Sequence, residues 1–313
     1  MNSSVKDLLE PIKELLTELI GPFSDDKPPL NVKVLEEKDM DEHVRYKVVY
    51  RSEDEDLVPA YLLKPKDKGP FPAIIVHHQH GGRYNIGKNE VVGLADNDVA
   101  YGLELVRRGY VILAPDAKCF GERKVKVKGN SSDVFQEKFE AMKLILYGKT
   151  LQGKYIWDIM RGIDYLETLD FVTTQKIGMM GFSLGGQQTL YTTALEERIR
   201  VGVSISGFST YRAIIEENLQ HNFAFYIPKL MRYKIETWHL LGLIAPKPFM
   251  IIAGKKDPIF PIDGVMEAYE KGLLIYKLFN AEDKLTLHVW EGGHESPQHV
   301  RELAYNWFDK WLH

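Results

Sequence analysis

A mostly parallel α/β sheet with helices on both faces is the architecture this sequence predicts, and three observations point to it. Short, wholly apolar runs such as Ala73-Ile74-Ile75-Val76 recur along the chain, as expected for strands covered on both faces. Segments with helical spacing alternate with them, the pattern of βαβ units. Between one such run and one such segment lies Gly181-Phe182-Ser183-Leu184-Gly185, a Gly-x-Ser-x-Gly turn of the kind that joins a strand to a helix.

In chain order, Val5, Leu8, Leu9, Ile12, Leu15, Leu16, Leu19 and Ile20 recur at three- and four-residue spacing and predict one amphipathic helix. Its polar face is mostly acidic, so a packing or subunit-contact role is expected rather than a membrane one. Gly21-Pro22 and Lys27-Pro28-Pro29 end it, which sets residues 1–30 apart as helix and linker from a main domain over 31–313. Three segments at 31–36, 43–51 and 57–64, rich in Val and Tyr and separated by polar runs, predict an antiparallel opening to the sheet. The doubly covered strands follow at 73–76, 110–114, 177–180, 201–205, 249–253 and 285–289, with helices at 98–108, 153–169, 186–196, 263–278 and 297–311. Residues 207–246 are too long for a plain connection and carry Tyr211, Phe223, Phe225, Tyr226, Met231, Tyr233 and Trp238. They predict a helical, cap-like excursion, which either completes the core or shapes a pocket at the strand ends.

Composition narrows the function. With 40 Lys and Arg against 44 Asp and Glu, the net charge of -4 carries no basic footprint for nucleic acid or an anionic membrane. Cys119 is the single cysteine, which excludes an internal disulfide and a cysteine-based zinc site. Charged residues interrupt the first 20 positions, and no apolar run reaches the about 18 residues a bilayer span needs. The expectation is a cytoplasmic enzyme that could form a homo-oligomer.

A serine hydroxyl needs a base within hydrogen-bond reach and a carboxylate to orient that base. On sheets of this kind the order is Ser, then Asp or Glu, then His. Asp257 follows the run 249–253 and His294 follows the run 285–289, 74 and 37 residues further along in turn. Each thus falls just past a strand end, on the edge where Ser183 sits, and the set predicts a Ser183, Asp257, His294 triad. Asp263 reads instead as a helix N-cap, while His288 falls inside a strand and His299 inside a helix. An oxyanion hole needs two backbone N–H groups. Leu184, directly after the nucleophile, supplies one, and the loop His77-His78-Gln79-His80-Gly81-Gly82 supplies the other through His80, or Gln79 as second choice.

Two decoys share that loop. His78 and His80 alternate on an extended segment without neighbouring carboxylates or cysteines, a weak metal pattern, so no metal or cofactor is expected. Gly82 to Lys88 has the spacing of a phosphate-binding loop, but Asn89 stands where Ser or Thr would hold magnesium, and Lys88 reads as a surface or pocket residue.

These residues resemble the α/β-hydrolase superfamily and, within it, the dienelactone hydrolase and acetyl xylan esterase-like branch. The resemblance runs from about Leu57 to His313. It rests on His78 to Gly82 with Gly87-Lys88-Asn89-Glu90, Arg108 to Asp116 running into Phe120-Gly121-Glu122-Arg123, Gly181 to Gly186, Ala245-Pro246-Lys247-Pro248, Gly254 to Pro261, and Gly292-Gly293-His294. It implies an α/β-hydrolase fold and hydrolysis of carboxylic esters, often small acyl groups on sugars or other alcohols, without a cofactor. Asp116 matches a recurrent aspartate of that branch and reads as a structural hydrogen-bonder rather than a catalytic group. Two positions depart from the pattern: Gln79 replaces a usual glycine, and Ser183 replaces the cysteine of true dienelactone hydrolases, which argues against that substrate. The expectation is a serine esterase acting on a small-molecule ester. An amide or peptide hydrolase on the same scaffold and a hydrolase-like binding protein without turnover are the alternatives.

Overall fold

The structure is a computed structural model that describes every residue except 1, 25, 97, 98, 130 and 131, with the backbone alone for residues 2–4. Nine of the predicted extended segments are strands. They are β1 (Lys33–Asp39), β2 (His43–Glu53), β3 (Asp56–Pro65), β4 (Phe71–His77), β5 (Val111–Pro115), β6 (Val172–Phe182), β7 (Ile199–Ile205), β8 (Phe249–Gly254) and β9 (Leu285–Trp290). They form one sheet in the order β1-β2-β3-β5-β4-β6-β7-β8-β9. The β1-β2, β2-β3 and β3-β5 pairs are antiparallel, and every pair from β5-β4 to β8-β9 is parallel.

Nine helices are described: α1 (Asn2–Ile20), α2 (Tyr101–Val106), α3 (Asp133–Leu146), α4 (Leu151–Leu166), α5 (Leu184–Leu195), α6 (Tyr211–Glu216), α7 (Thr237–Ile244), α8 (Ile262–Leu278) and α9 (Gln298–Leu312). Side-chain alternation along the strands sends each face to its own helices. Ile74, Val76, Ile112 and Ala114 pack in one cluster with Tyr101 and Leu105 of α2 and Phe308 of α9. Their neighbours Ala73, Ile75, Val111 and Leu113 pack with Ile159 and Ile163 of α4 on the opposite face. A wholly apolar strand is what two buried faces require.

Some boundaries differ from expectation. The expected start of α2 at residue 98 lies outside the described residues, and its end comes at Val106, ahead of Gly109 with φ +88°. Asp263 is not the N-cap of α8; Pro261 occupies that position and Asp263 lies in the first turn, where a carboxylate still suits the helix dipole. Helix α3 was not anticipated at all. Helix α1 lies on the surface and docks one face, burying Leu16 and Ile20 against α4 and α7.

The excursion over 207–246 divides its labour. Leu240, Leu241 and Ile244 of α7 are fully buried in the cluster that includes Phe249 of β8, so this part completes the core. Residues 220–223 instead border a pocket at the strand ends. Because the chain leaves β4 toward β5 on one side and reaches β6 on the other, the sheet has its topological switch there, the usual place for a site.

Candidate active site

Ser183 stands between the last residue of β6 and the first of α5, with φ 58° and ψ −116°. That left-handed conformation is costly for a residue with a Cβ and survives only where the surroundings over-determine it. They do so through the flanking glycines. A Cβ on Gly181 would lie 2.5 Å from the backbone carbon of Gly185, and one on Gly185 would press into the His77 carbonyl oxygen at the end of β4. The Ser183 amide donates to Ile205 O of β7 at 2.9 Å, which ties the turn to the neighbouring strand.

The other two predicted side chains converge on this hydroxyl. His294, in the loop after β9, has Nε2 2.9 Å from Ser183 Oγ and Nδ1 2.8 Å from Asp257 Oδ2. A carboxylate can only accept, so the His294 proton sits on Nδ1 and Nε2 faces the serine as an acceptor. Asp257 follows β8; its other oxygen accepts the amides of Ile259 at 2.8 Å and Phe260 at 3.1 Å, which fixes the carboxylate's orientation. Phe182 and Phe260 flank the imidazole, with ring centroids 4.9 and 5.9 Å away.

Pairing of His77 with Gly181 in the β4-β6 register brings the loop after β4 alongside the serine turn. Of its two candidate amides, that of Gln79 is engaged, donating to the buried carboxylate of Glu90 at 3.3 Å, whereas that of His80 has no such bond among the described residues. Leu184 opens α5, where first-turn N–H groups have no partner four residues back.

The two decoys are explained by burial. His78 donates from Nδ1 to Gln79 O at 2.7 Å and accepts the Ala117 amide at Nε2, while His80 accepts the Gly82 amide at Nδ1 and donates from Nε2 to Glu137. Both nitrogens of each ring are committed. Lys88 is not a surface or pocket residue, as expected, but 1 % exposed. Its Nζ lies 2.6 Å from Asp116 and 2.5 Å from Glu122, and Asp116 also accepts the amides of Lys88 and Glu122. Asp116 is thus the hydrogen-bonding post that holds the loop's far end.

A pocket of about 370 Å³ opens above Ser183 and His294, walled by Tyr84, Glu137, His221, Asn222, Phe223 and Phe260 among others. Sequence reasoning missed Glu137, Asn222 and His221. Burial lowers His221 to about 4, so this ring is neutral. Glu137 lies on α3, whose amphipathic pattern is turned over. Its Gln136, Glu137 and Glu140 are buried, while Val134, Phe135, Phe139 and Met142 are exposed.

The model of the dienelactone hydrolase family matches residues 58–294. The Bacillus subtilis (strain 168) protein "Putative hydrolase YtaP" is 30% identical over 305 residues, 96% of this chain and 98% of its own length. Among solved structures, a glucuronoyl esterase from Solibacter usitatus has a TM-score of 0.72 at 15% identity, covering 96% of this chain and 91% of its own. Acetyl xylan esterase 1 from Thermoanaerobacterium sp. JW/SL YS485 has a TM-score of 0.63 at 17% identity, covering 96% and 93%. At such identities the structures speak for the fold, and the family match, running from β3 to His294, speaks for the lineage. The chain belongs to the dienelactone hydrolase family and is a carboxylic ester hydrolase of the α/β-hydrolase fold.

Proposed function

We propose that this chain is a serine esterase in which Ser183 is the nucleophile, His294 the general base and acid, and Asp257 the group that holds the imidazole. The observation that supports this above all is the unbroken hydrogen-bonded line from Ser183 Oγ through His294 to Asp257, 2.9 and 2.8 Å in its two links, at the floor of a pocket. Ser183 Oγ attacks the ester carbonyl as its proton passes to His294 Nε2. The negative charge that develops on the carbonyl oxygen is met by the amides of Leu184 and His80. His294 then gives the proton to the departing alcohol, leaving an acyl-serine. Water, deprotonated by the same imidazole, attacks that acyl group and releases a carboxylic acid and free Ser183.

Short acyl groups on a sugar or other alcohol are the proposed substrates. This agrees with the serine, in place of a cysteine, at the nucleophile position, and with solved structures of like fold whose names give acetyl xylan and glucuronoyl esters as what they act on. Ser183→Ala should lower kcat for p-nitrophenyl acetate by about 10⁴-fold or more and abolish labelling by a fluorophosphonate probe. Turnover near that of the wild type, or unchanged labelling, would sink the assignment.

A further inference from the structure

Helix α3 turns a row of large apolar side chains to solvent. Phe135, Phe139, Met142 and Leu146 follow one another at spacings of four, three and four residues, so they form one stripe along the helix, and Leu146 is 87 % exposed. Such spacings make the seam by which one helix packs on another. Within this molecule α3 docks by its other side, since Gln136, Glu137, Glu140 and Ala141, which it buries, lie on the face opposite the stripe. The stripe is therefore a second packing surface, and within the chain it stays uncovered. Val134 at the start of α3 and Tyr147 just past its end, 53 and 77 % exposed, add to it.

Beside this ridge lies a groove of about 270 Å³, lined by Ile145 of α3, Ile215 of α6, and Tyr226, Ile227, Leu230 and Met231 among others. None of the described residues that line it is charged. Ile215, Tyr226 and Met231 are themselves exposed, and Ile145 joins them to the ridge, so ridge and groove are one continuous apolar surface. Its exposed side chains present on the order of 1,000 Å², against about 300–600 Å² for the largest apolar patch of a typical monomer and about 800 Å² for one partner's share of a standard interface.

We infer that this face is a two-fold interface between two copies of the chain, in which the α3 ridge of each protomer seats in the groove of the other. Three observations select a second copy as the occupant. The surface holds a ridge and a groove side by side, so it is complementary to itself, as an isologous contact requires. Its area matches what one partner contributes to a stable dimer. The groove presents no charge among the described residues, and the ridge side chains that would fill it are apolar, so the two suit each other better than either suits an ionic partner. A flat lipid surface would cover the ridge and leave the groove unfilled. Val134 also lines the active-site pocket, which brings the partner copy to that pocket's rim. The inference is independent of the esterase reading.

Sedimentation equilibrium of the full chain tests it. The wild type should sediment at twice the chain mass at about 10 μM, and a monomer at that concentration overturns the inference. Phe139→Glu and Leu146→Glu each set a charge into the centre of the contact and should raise the dimer Kd by about 100-fold or more. Leu274→Glu, on the exposed side of α8, should leave it unchanged. A dimer that withstands both ridge substitutions, or one that Leu274→Glu dissociates, lies elsewhere and overturns the inference. Met231→Glu, in the groove, should weaken the dimer as the ridge substitutions do, and an unchanged Kd there overturns the seating of ridge in groove. The ridge side chains are exposed in the single chain, so circular dichroism should show these variants folded; if Phe139→Glu does not fold, Leu146→Glu decides alone. A monomeric wild type that floats with phosphatidylcholine vesicles assigns the face to a lipid surface and overturns the second copy.

Discussion

The two sides of this pocket are built on opposite terms. On the sheet side, Ser183 sits in a strained conformation between glycines with no room for a Cβ, and its partners His294 and Asp257 have their polar atoms matched. On the wall side, Tyr84, Glu137 and residues 220–223 come from three separate segments, and two of their oxygens have no donor among the described residues. Chemistry requires groups held in one arrangement before substrate arrives, whereas recognition requires polar groups whose partners arrive with it. On the proposed function, reaction falls to the first side and selection to the second.

Two glycines offer the harshest way to break that contrast. Gly185→Ala would drive a methyl group into the His77 carbonyl, a backbone atom that cannot swing aside as a side chain would. It should lower unfolding free energy by about 3 kcal/mol or more and remove most ester turnover with it. Gly82→Ala, in the loop bordering the wall, meets nothing within 4 Å and bears only the strain of φ +66°. About 1 kcal/mol is expected there. Urea denaturation of the pair reads the difference directly, and equal losses would mean that the sheet side is no more tightly determined than the wall.

The same contrast explains what could be read in advance. Ser183, Asp257 and His294 were legible because each follows an apolar strand, and strand ends on one sheet edge must meet whatever the loops do. The roles of 207–246 were legible only as a pair of options, since α7 buries Leu240 and Leu241 while Asn222 faces a pocket, and one aromatic-rich tract encodes both. Glu137 was not legible. Helix periodicity assigns the apolar stripe to the interior, but α3 exposes Phe135, Phe139 and Met142 and buries Glu137 and Glu140, so the rule points the wrong way. Lys88 misled for a related reason: a lone lysine in a loop reads as solvent-facing until its carboxylate partners, Asp116 and Glu122, are known.

Acid sharpens the comparison at the next level of effect. Burial lowers His77 to about 3 and His78 to about 4 at the end of β4, and lowers His221 to about 4 on the wall. Each is held below its unfolded value near 6.5, so the unfolded chain binds more protons as pH falls. The stability these rings confer is therefore complete above about pH 6.5 and is lost as pH drops toward 4, at about 1.4 kcal/mol per pH unit for each ring. His43 and His239, lowered chiefly by burial as well, add to the slope. Protonated His78 would also set an N–H against the Ala117 amide it now accepts. Urea midpoints between pH 7 and 4.5 should fall steadily, and a flat profile would contradict neutral, buried rings.

The mildest test falls on the wall itself. Tyr84 stacks on Phe120 with ring centroids 4.9 Å apart and an interplanar angle of 16°, so Tyr84→Phe keeps the packing and deletes only the hydroxyl that donates to Glu137. Burial first, and then the Glu137 carboxylate, push the Tyr84 phenol well above its ordinary value, so it remains a donor throughout the working pH range. Its loss should cost about 1.5 kcal/mol in urea with an unchanged m-value, the worth of one hydrogen bond to a buried charge. His80 would be left as the carboxylate's only donor among the described residues. An unchanged urea midpoint in Tyr84→Phe would show that this hydrogen bond adds nothing to the wall, and the contrast would fail at its weaker half.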